Sequence, residues 1–159
     1  MEPVKRQIEV SVAEQFDCVD TVSVKELFER LDSLDEISWS IPDGELSIAL
    51  VDEATICEIH ARFLDDPTPT DVITFPGDTD ENIAGEIIVS VDQAMRVHQA
   101  NNTTLIQELT LYLVHGWLHL AGEDDIDPAD RMLMRQAEKT VLKQLGKVSL
   151  SSEALIDET

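Results

Sequence analysis

Two histidines, His115 and His119, stand four residues apart, and the carboxylate of Asp125 follows six residues later. On a helix, positions four apart share one face, one turn apart. Gly122 lies between His119 and Asp125, and glycine accepts the left-handed conformation that ends a helix. The chain can therefore turn back and carry Asp125 towards the two imidazoles. Two nitrogens and one oxygen converging in this way suit a divalent metal with an open fourth position. Such a position is where bound water is activated for hydrolysis. Glu123, Asp124 and Asp127 are alternative sources of the third ligand, although the spacing favours Asp125.

The same spacing is found in metzincin peptidases, which carry Glu directly after the first His as the general base. That position here is Gly116, so the metal frame is present without the peptidase base. The other histidines, His60 and His98, have no partner spacing and read as ordinary surface or core residues. Trp117 turns away from the ligand face and reads as core. Cys18 and Cys57 are not in a CxxC arrangement, so neither a disulfide framework nor a thiolate zinc site is indicated. Both read as small buried apolar residues in a reduced, cytoplasmic protein.

The formal charge of -22 opposes non-specific attraction to nucleic acid, which needs Lys and Arg to displace counterions. It fits a cation site, a soluble enzyme, or a protein that docks on a basic partner. Cations do recur every four residues near the C-terminus: Arg131, Arg135, Lys139, Lys143 and Lys147. On a helix this row drifts by only about 40° per step. It either complements the helix dipole and pairs with acids such as Asp127 and Glu138, or is an electropositive surface that guides an anionic partner towards the histidines. No apolar run is long enough to cross a membrane, and the first residues lack an apolar signal region.

The elements that must position these groups follow from caps and periodicity. Strands are expected at 8–12, 46–51, 71–75 and 85–89, the third closed by Pro76-Gly77. A capping box at Ser23 to Glu26 opens a helix reaching about Leu34. Asp52 caps a helix to about Phe63, and a box at Ser90 to Gln93 opens one to about Asn101. Thr103 or Thr104 caps the histidine-bearing helix, which ends near Leu120. Asp127-Pro128 opens a last helix that Gly146 stops, with Met134, Ala137, Val141 and Leu145 as its core stripe. These elements predict an α+β fold: one domain with a small mixed four-stranded sheet, packed helices, and the metal site on the long histidine-bearing helix. The domain spans 1–147, and residues 148–159 form an acidic tail expected to be disordered.

Two segments resemble a known family. His115-Gly116-Trp117-Leu118-His119-Leu120-Ala121-Gly122-Glu123-Asp124-Asp125 resembles the histidine motif of the YbeY endoribonucleases, and Pro69-Thr70-Asp71-Val72-Ile73-Thr74-Phe75-Pro76 resembles their other signature. Gly85-Glu86-Ile87-Ile88-Val89 falls where that family has a Gly-Asp-Ile strand. The resemblance implies a metal-dependent, single-strand-specific endoribonuclease acting in ribosomal RNA maturation and ribosome quality control. RNA and the ribosome are its implied partners, and one zinc ion held by His115, His119 and Asp125 its implied cofactor. The family usually has a third His where this chain has Asp125, a position at which a carboxylate can also ligate zinc. It usually has an Arg where this chain has Leu64. Arg62 is the nearest replacement, but two helical residues turn a side chain by roughly 200°. A metal-dependent peptidase-like hydrolase and a non-catalytic ribosome-assembly factor with a structural metal are the alternative readings.

Overall fold

The computed structural model describes residues 6–146 and Leu150. Four strands form one mixed sheet: β1 (Ile8–Val12), β2 (Glu45–Val51), β3 (Val72–Asp78) and β4 (Ile83–Ser90), in the order β1-β2-β4-β3. β1, β2 and β4 run parallel, and β3 is an antiparallel edge strand on β4. Among the described residues five α-helices surround the sheet: α1 (Thr21–Ser33), α2 (Glu53–Leu64), α3 (Val91–Ala100), α4 (Leu105–Leu120) and α5 (Pro128–Leu145). The expected α+β class, the single domain and the mixed four-stranded sheet are all found.

Alternation along the strands divides the sheet into two faces. Leu46, Ile48, Leu50, Ile87 and Val89 point into the main core with α1, α4 and α5. Ile73 and Ile88 point the other way and pack with Ile56 of α2. β3 follows the same rule. Val72 packs against the main core, whereas Ile73 and Phe75 belong to the α2 side.

α4 is the central helix. Its capping box is complete: Thr104 Oγ1 accepts from Gln107 N–H at 3.1 Å, and Gln107 Oε1 accepts from Thr104 N–H at 2.9 Å. Leu109, Leu113, Val114, Trp117 and Leu118 are fully buried around it, as a helix covered on most sides requires. Gly116 faces the sheet. A Cβ there would stand 2.7 Å from Ile87 Cγ2 and 3.3 Å from Val72 Cγ2, so only glycine allows this approach.

Several boundaries differ from expectation for physical reasons. α1 begins at Thr21, because Asp20 accepts from Val22 N–H; Ser23 donates to the same carboxylate rather than capping. β3 continues through Pro76-Gly77 to Asp78, since proline is tolerated on an edge strand. Cys18 is exposed and Cys57 half-buried, so neither is the buried apolar residue that its type suggested. Of residues 148–159, only Leu150 is described. It is buried, and its carbonyl accepts from Asp20 N–H at 2.9 Å, so the solvated tail does not extend to Leu150. The remaining residues of that segment lie outside the described ones.

The contact at Gly116 leads to a stability prediction. Gly116→Val places methyls against Ile87 in a well-packed core, where overpacking costs about 1–3 kcal/mol. Urea denaturation monitored by circular dichroism should show a lower midpoint with an unchanged slope.

Candidate metal centre

α4 and the turn after it bring His115, His119 and Asp125 together. Gly122, at φ +108°, ends the helix, with its N–H on His119 O and Glu123 N–H on Leu118 O. A Cβ at Gly122 would meet nothing within 4 Å, so the requirement is backbone conformation and not space. The chain then returns. Asp125 Oδ2 lies 3.3 Å from His115 Nε2, and Oδ1 lies 3.5 Å from His119 Nε2. The two Nε2 atoms are 3.1 Å apart, with the imidazole planes at 82°.

These lengths provide a test of fit. Nitrogen and oxygen ligands at about 2.0–2.1 Å in a tetrahedron stand about 3.3 Å from one another. The two nitrogens are separated by close to that distance, and each has a different oxygen of Asp125 at 3.3 or 3.5 Å, so the three half-buried side chains could hold a metal ion. The alternative ligands are engaged elsewhere. Glu123 accepts from Trp39 Nε1–H at 2.8 Å, Asp124 from Asp125 N–H, and Asp127 caps α5 through Asp130 N–H.

Behind His115 stands Glu138, which sequence reasoning considered only as an acid that could pair with the cationic stripe. Its side chain is instead buried, and His115 Nδ1–H donates to Glu138 Oε2 at 2.6 Å. That bond sets the tautomer and leaves the Nε2 lone pair directed at the other two ligand atoms. One signal was available in the sequence. Met134, Glu138, Val141 and Leu145 share the buried stripe of α5, so an acid there needs a partner in the core.

Burial lowers the His115 pKa, but the Glu138 hydrogen bond and charge outweigh it, with Asp125 and Asp71 adding to the rise. The net value lies above the ordinary 6.5.

A pocket of about 190 Å³ opens beside His115 and Asp125. Arg131 and Arg135 line it, so the start of the cationic stripe does reach the site. Lys139 and Lys143 continue the stripe along exposed α5, and Lys147 is outside the described residues. Asp71 also lines the pocket while accepting from Val72 N–H, thereby serving both a turn and the site wall. Tyr112 is a further wall that sequence reasoning did not find; burial first, then Asp71 and Glu108, push its phenol up to about 12. It therefore stays protonated at neutral pH.

Other candidates are not brought to this place. Arg62 sits exposed in the last turn of α2, on the opposite face of the sheet, and lines neither pocket beside the histidines. His60 Nδ1 and His98 Nδ1 bond to the carbonyls of Thr68 and Thr103 and stabilise local turns. Trp117 is buried in the core.

A prediction concerns the metal-free protein. NMR titration should find His115 protonating above 6.5, and Glu138→Gln should lower the value. In stability terms the raised value favours the fold below about pH 6.5, an advantage lost as pH rises through it.

Comparison with known proteins places this chain in a family. A family model described as endoribonuclease YbeY matches residues 7–146. A Protochlamydia amoebophila protein named endoribonuclease YbeY is 44% identical over 110 residues, covering 67% of this chain and 73% of its own length. A Finegoldia magna protein of the same name is 35% identical over 106 residues, covering 64% and 69%. The solution structure of a Thermotoga maritima target protein superposes with a TM-score of 0.60 at 27% identity, over 87% of this chain and 89% of that one. With a match running from the first strand to the end of the last helix, the chain belongs to the YbeY endoribonuclease family.

Proposed function

We propose that the protein is a metal-dependent endoribonuclease that cuts single-stranded RNA in ribosomal RNA maturation and ribosome quality control. The observation that carries the reading is the convergence of His115 Nε2, His119 Nε2 and the Asp125 carboxylate, with the nitrogens 3.1 Å apart and Asp125 Oδ2 and Oδ1 at 3.3 and 3.5 Å from them, in a member of an endoribonuclease family. His115, His119 and Asp125 would hold one divalent ion; the set suits zinc, although imidazole nitrogen suits nickel and copper as well. When bound, the ion polarises a phosphoryl oxygen and lowers the pKa of water.

The chain's own groups account for the rest. Glu138 holds the His115 ring in place and keeps its proton on Nδ1. Arg131 and Arg135 stand where they can neutralise a bound phosphodiester. Asp71, Asp125 and Glu138 make the pocket more negative than those two arginines offset, a surplus that suits a divalent cation. Tyr112, protonated at neutral pH, offers a donor and not a base.

The peptidase reading finds no support here. Position 116 faces Ile87 and Val72, so an acid introduced there would enter the sheet and not the site. Among the described residues no helix is long and apolar enough to cross a membrane.

The test is to incubate zinc-loaded protein with single-stranded and duplex RNA and with casein. Cleavage confined to single-stranded RNA is expected; casein cleavage, or binding of RNA without cleavage, would reject the proposal. Metal titration by calorimetry should give one site per chain. Asp125→Ala should abolish or severely weaken it and Asp125→His should retain it. Glu138→Gln should weaken it by about 10–100-fold, as loss of a ligand-orienting partner does. Reversing Arg131 and Arg135 to Glu should weaken RNA binding and flatten its salt dependence while metal content and folding persist.

A further inference from the structure

The histidine pair is bordered on two sides, and the two sides differ in chemistry. His115 and Asp125 face the pocket that contains the arginines. His119 faces a second hollow of about 280 Å³. Its walls include Pro42, Thr74, Pro76, Thr79, Ile83 and Leu120, and among the described residues His119 is its only ionisable side chain. Among the described residues no Lys or Arg lines it. A flat, uncharged ring with a polar edge finds apolar walls and two hydroxyls, and among the described residues the Thr74 and Thr79 side chains make no hydrogen bond of their own. Ile83 remains 42% exposed at this place, an apolar side chain left open on a strand.

The hollow is also firmly built. The Arg6 guanidinium donates to Pro42 O and Gly44 O, each at 2.7 Å, and pairs with Asp32. It thereby fixes the loop that supplies the Pro42 wall. Gly44, at φ +118°, lets that loop press on the turn between β3 and β4, where a Cβ would stand 2.6 Å from the Asn82 carbonyl. Gly77 permits the matching approach of the hairpin strands, since a Cβ there would stand 2.0 Å from Ile83 O. A cavity held from both rims needs little ordering when it is filled.

We infer that this hollow is a nucleobase subsite: it takes one unpaired base of the RNA strand whose phosphate lies at the histidines. The inference rests on the nuclease reading and deepens it. A base can enter only after leaving its stack and its pair, which is least costly in a single strand. The arginine-lined pocket would then carry the backbone of the neighbouring nucleotides. The hollow thus gives the preference for unpaired RNA a physical source, with selection exercised by shape on the His119 side and by charge on the His115 side.

The test uses the zinc-loaded full chain and non-cleavable 2′-O-methyl oligoribonucleotides, read by fluorescence anisotropy, with one abasic position moved along the strand. At one position, next to the phosphate cut in the unmodified oligomer, loss of the base should weaken binding about tenfold, as losing an apolar contact and a hydrogen bond does. Other positions should change little. Thr79→Trp, which fills the hollow from an exposed position, should reduce affinity for the intact oligomer to that for the abasic one. It should leave the abasic oligomer and the metal content unchanged. A flat abasic profile with cleavage intact would overturn the subsite alone, as would an equal loss for both oligomers in Thr79→Trp. Failure to bind or cut any single-stranded RNA would overturn the nuclease reading and the subsite together.

Discussion

α4 lies against β3 and β4 at a distance that only a residue without a Cβ allows, and the position of both histidines follows from that distance. At Gly116 the helix backbone meets Ile87 and Val72 directly. Gly85 makes the reciprocal concession on β4, where a Cβ would stand 2.7 Å from Leu120 Cδ2. With these contacts fixed, α4 has one rotational setting against the sheet. It turns His115 towards α5 and His119 towards the β3–β4 hairpin. A well-packed interior resists small displacements, so this setting is rigid enough to define ligand separations near those a metal requires.

The second constraint is electrostatic. A chain of charge -22 would ordinarily repel a polyanion. Its answer is local. Arg131 and Arg135 emerge from the first turns of α5 beside Asp125, while Glu138 on the same helix is withdrawn into the core by its bond to His115. One helix therefore presents cations outward and an oriented carboxylate inward. A metal at the triad would add two positive charges at the point where a phosphodiester must be held. Much of the remaining acidic surface lies outside the two pockets, and its effect on RNA is reduced by salt screening over about 8–10 Å.

What was legible in the sequence was local. The caps Asp52, Ser90 and Asp127 were found, and that of α4 narrowed to Thr103 or Thr104, because a cap acts within three residues of itself. The convergence of His115, His119 and Asp125 was legible because a helix turn and one glycine suffice to unite them. Asp20 was passed over as the cap of α1 because Ser23 offered a second plausible box, and local pattern alone does not rank the two. Glu138 and Arg6 escaped for another reason. Their partners lie 23 residues away in one case, and 36 and 38 in the other, so only the tertiary fold assigns them. Arg62 failed in the opposite direction. It was chosen by proximity in sequence to the position of a missing arginine, but α2 packs on the far side of the sheet.

The central claim is that two imidazoles and one carboxylate hold a metal at the end of α4. X-ray absorption of the protein as isolated, at the edge of whichever metal co-purifies, tests it most directly. The account predicts two nitrogen and at least one oxygen neighbour at about 2.0–2.1 Å, with the outer-ring scattering of two imidazoles and no sulfur shell. A sulfur shell at about 2.3 Å, or an all-oxygen shell without imidazole scattering, would contradict it.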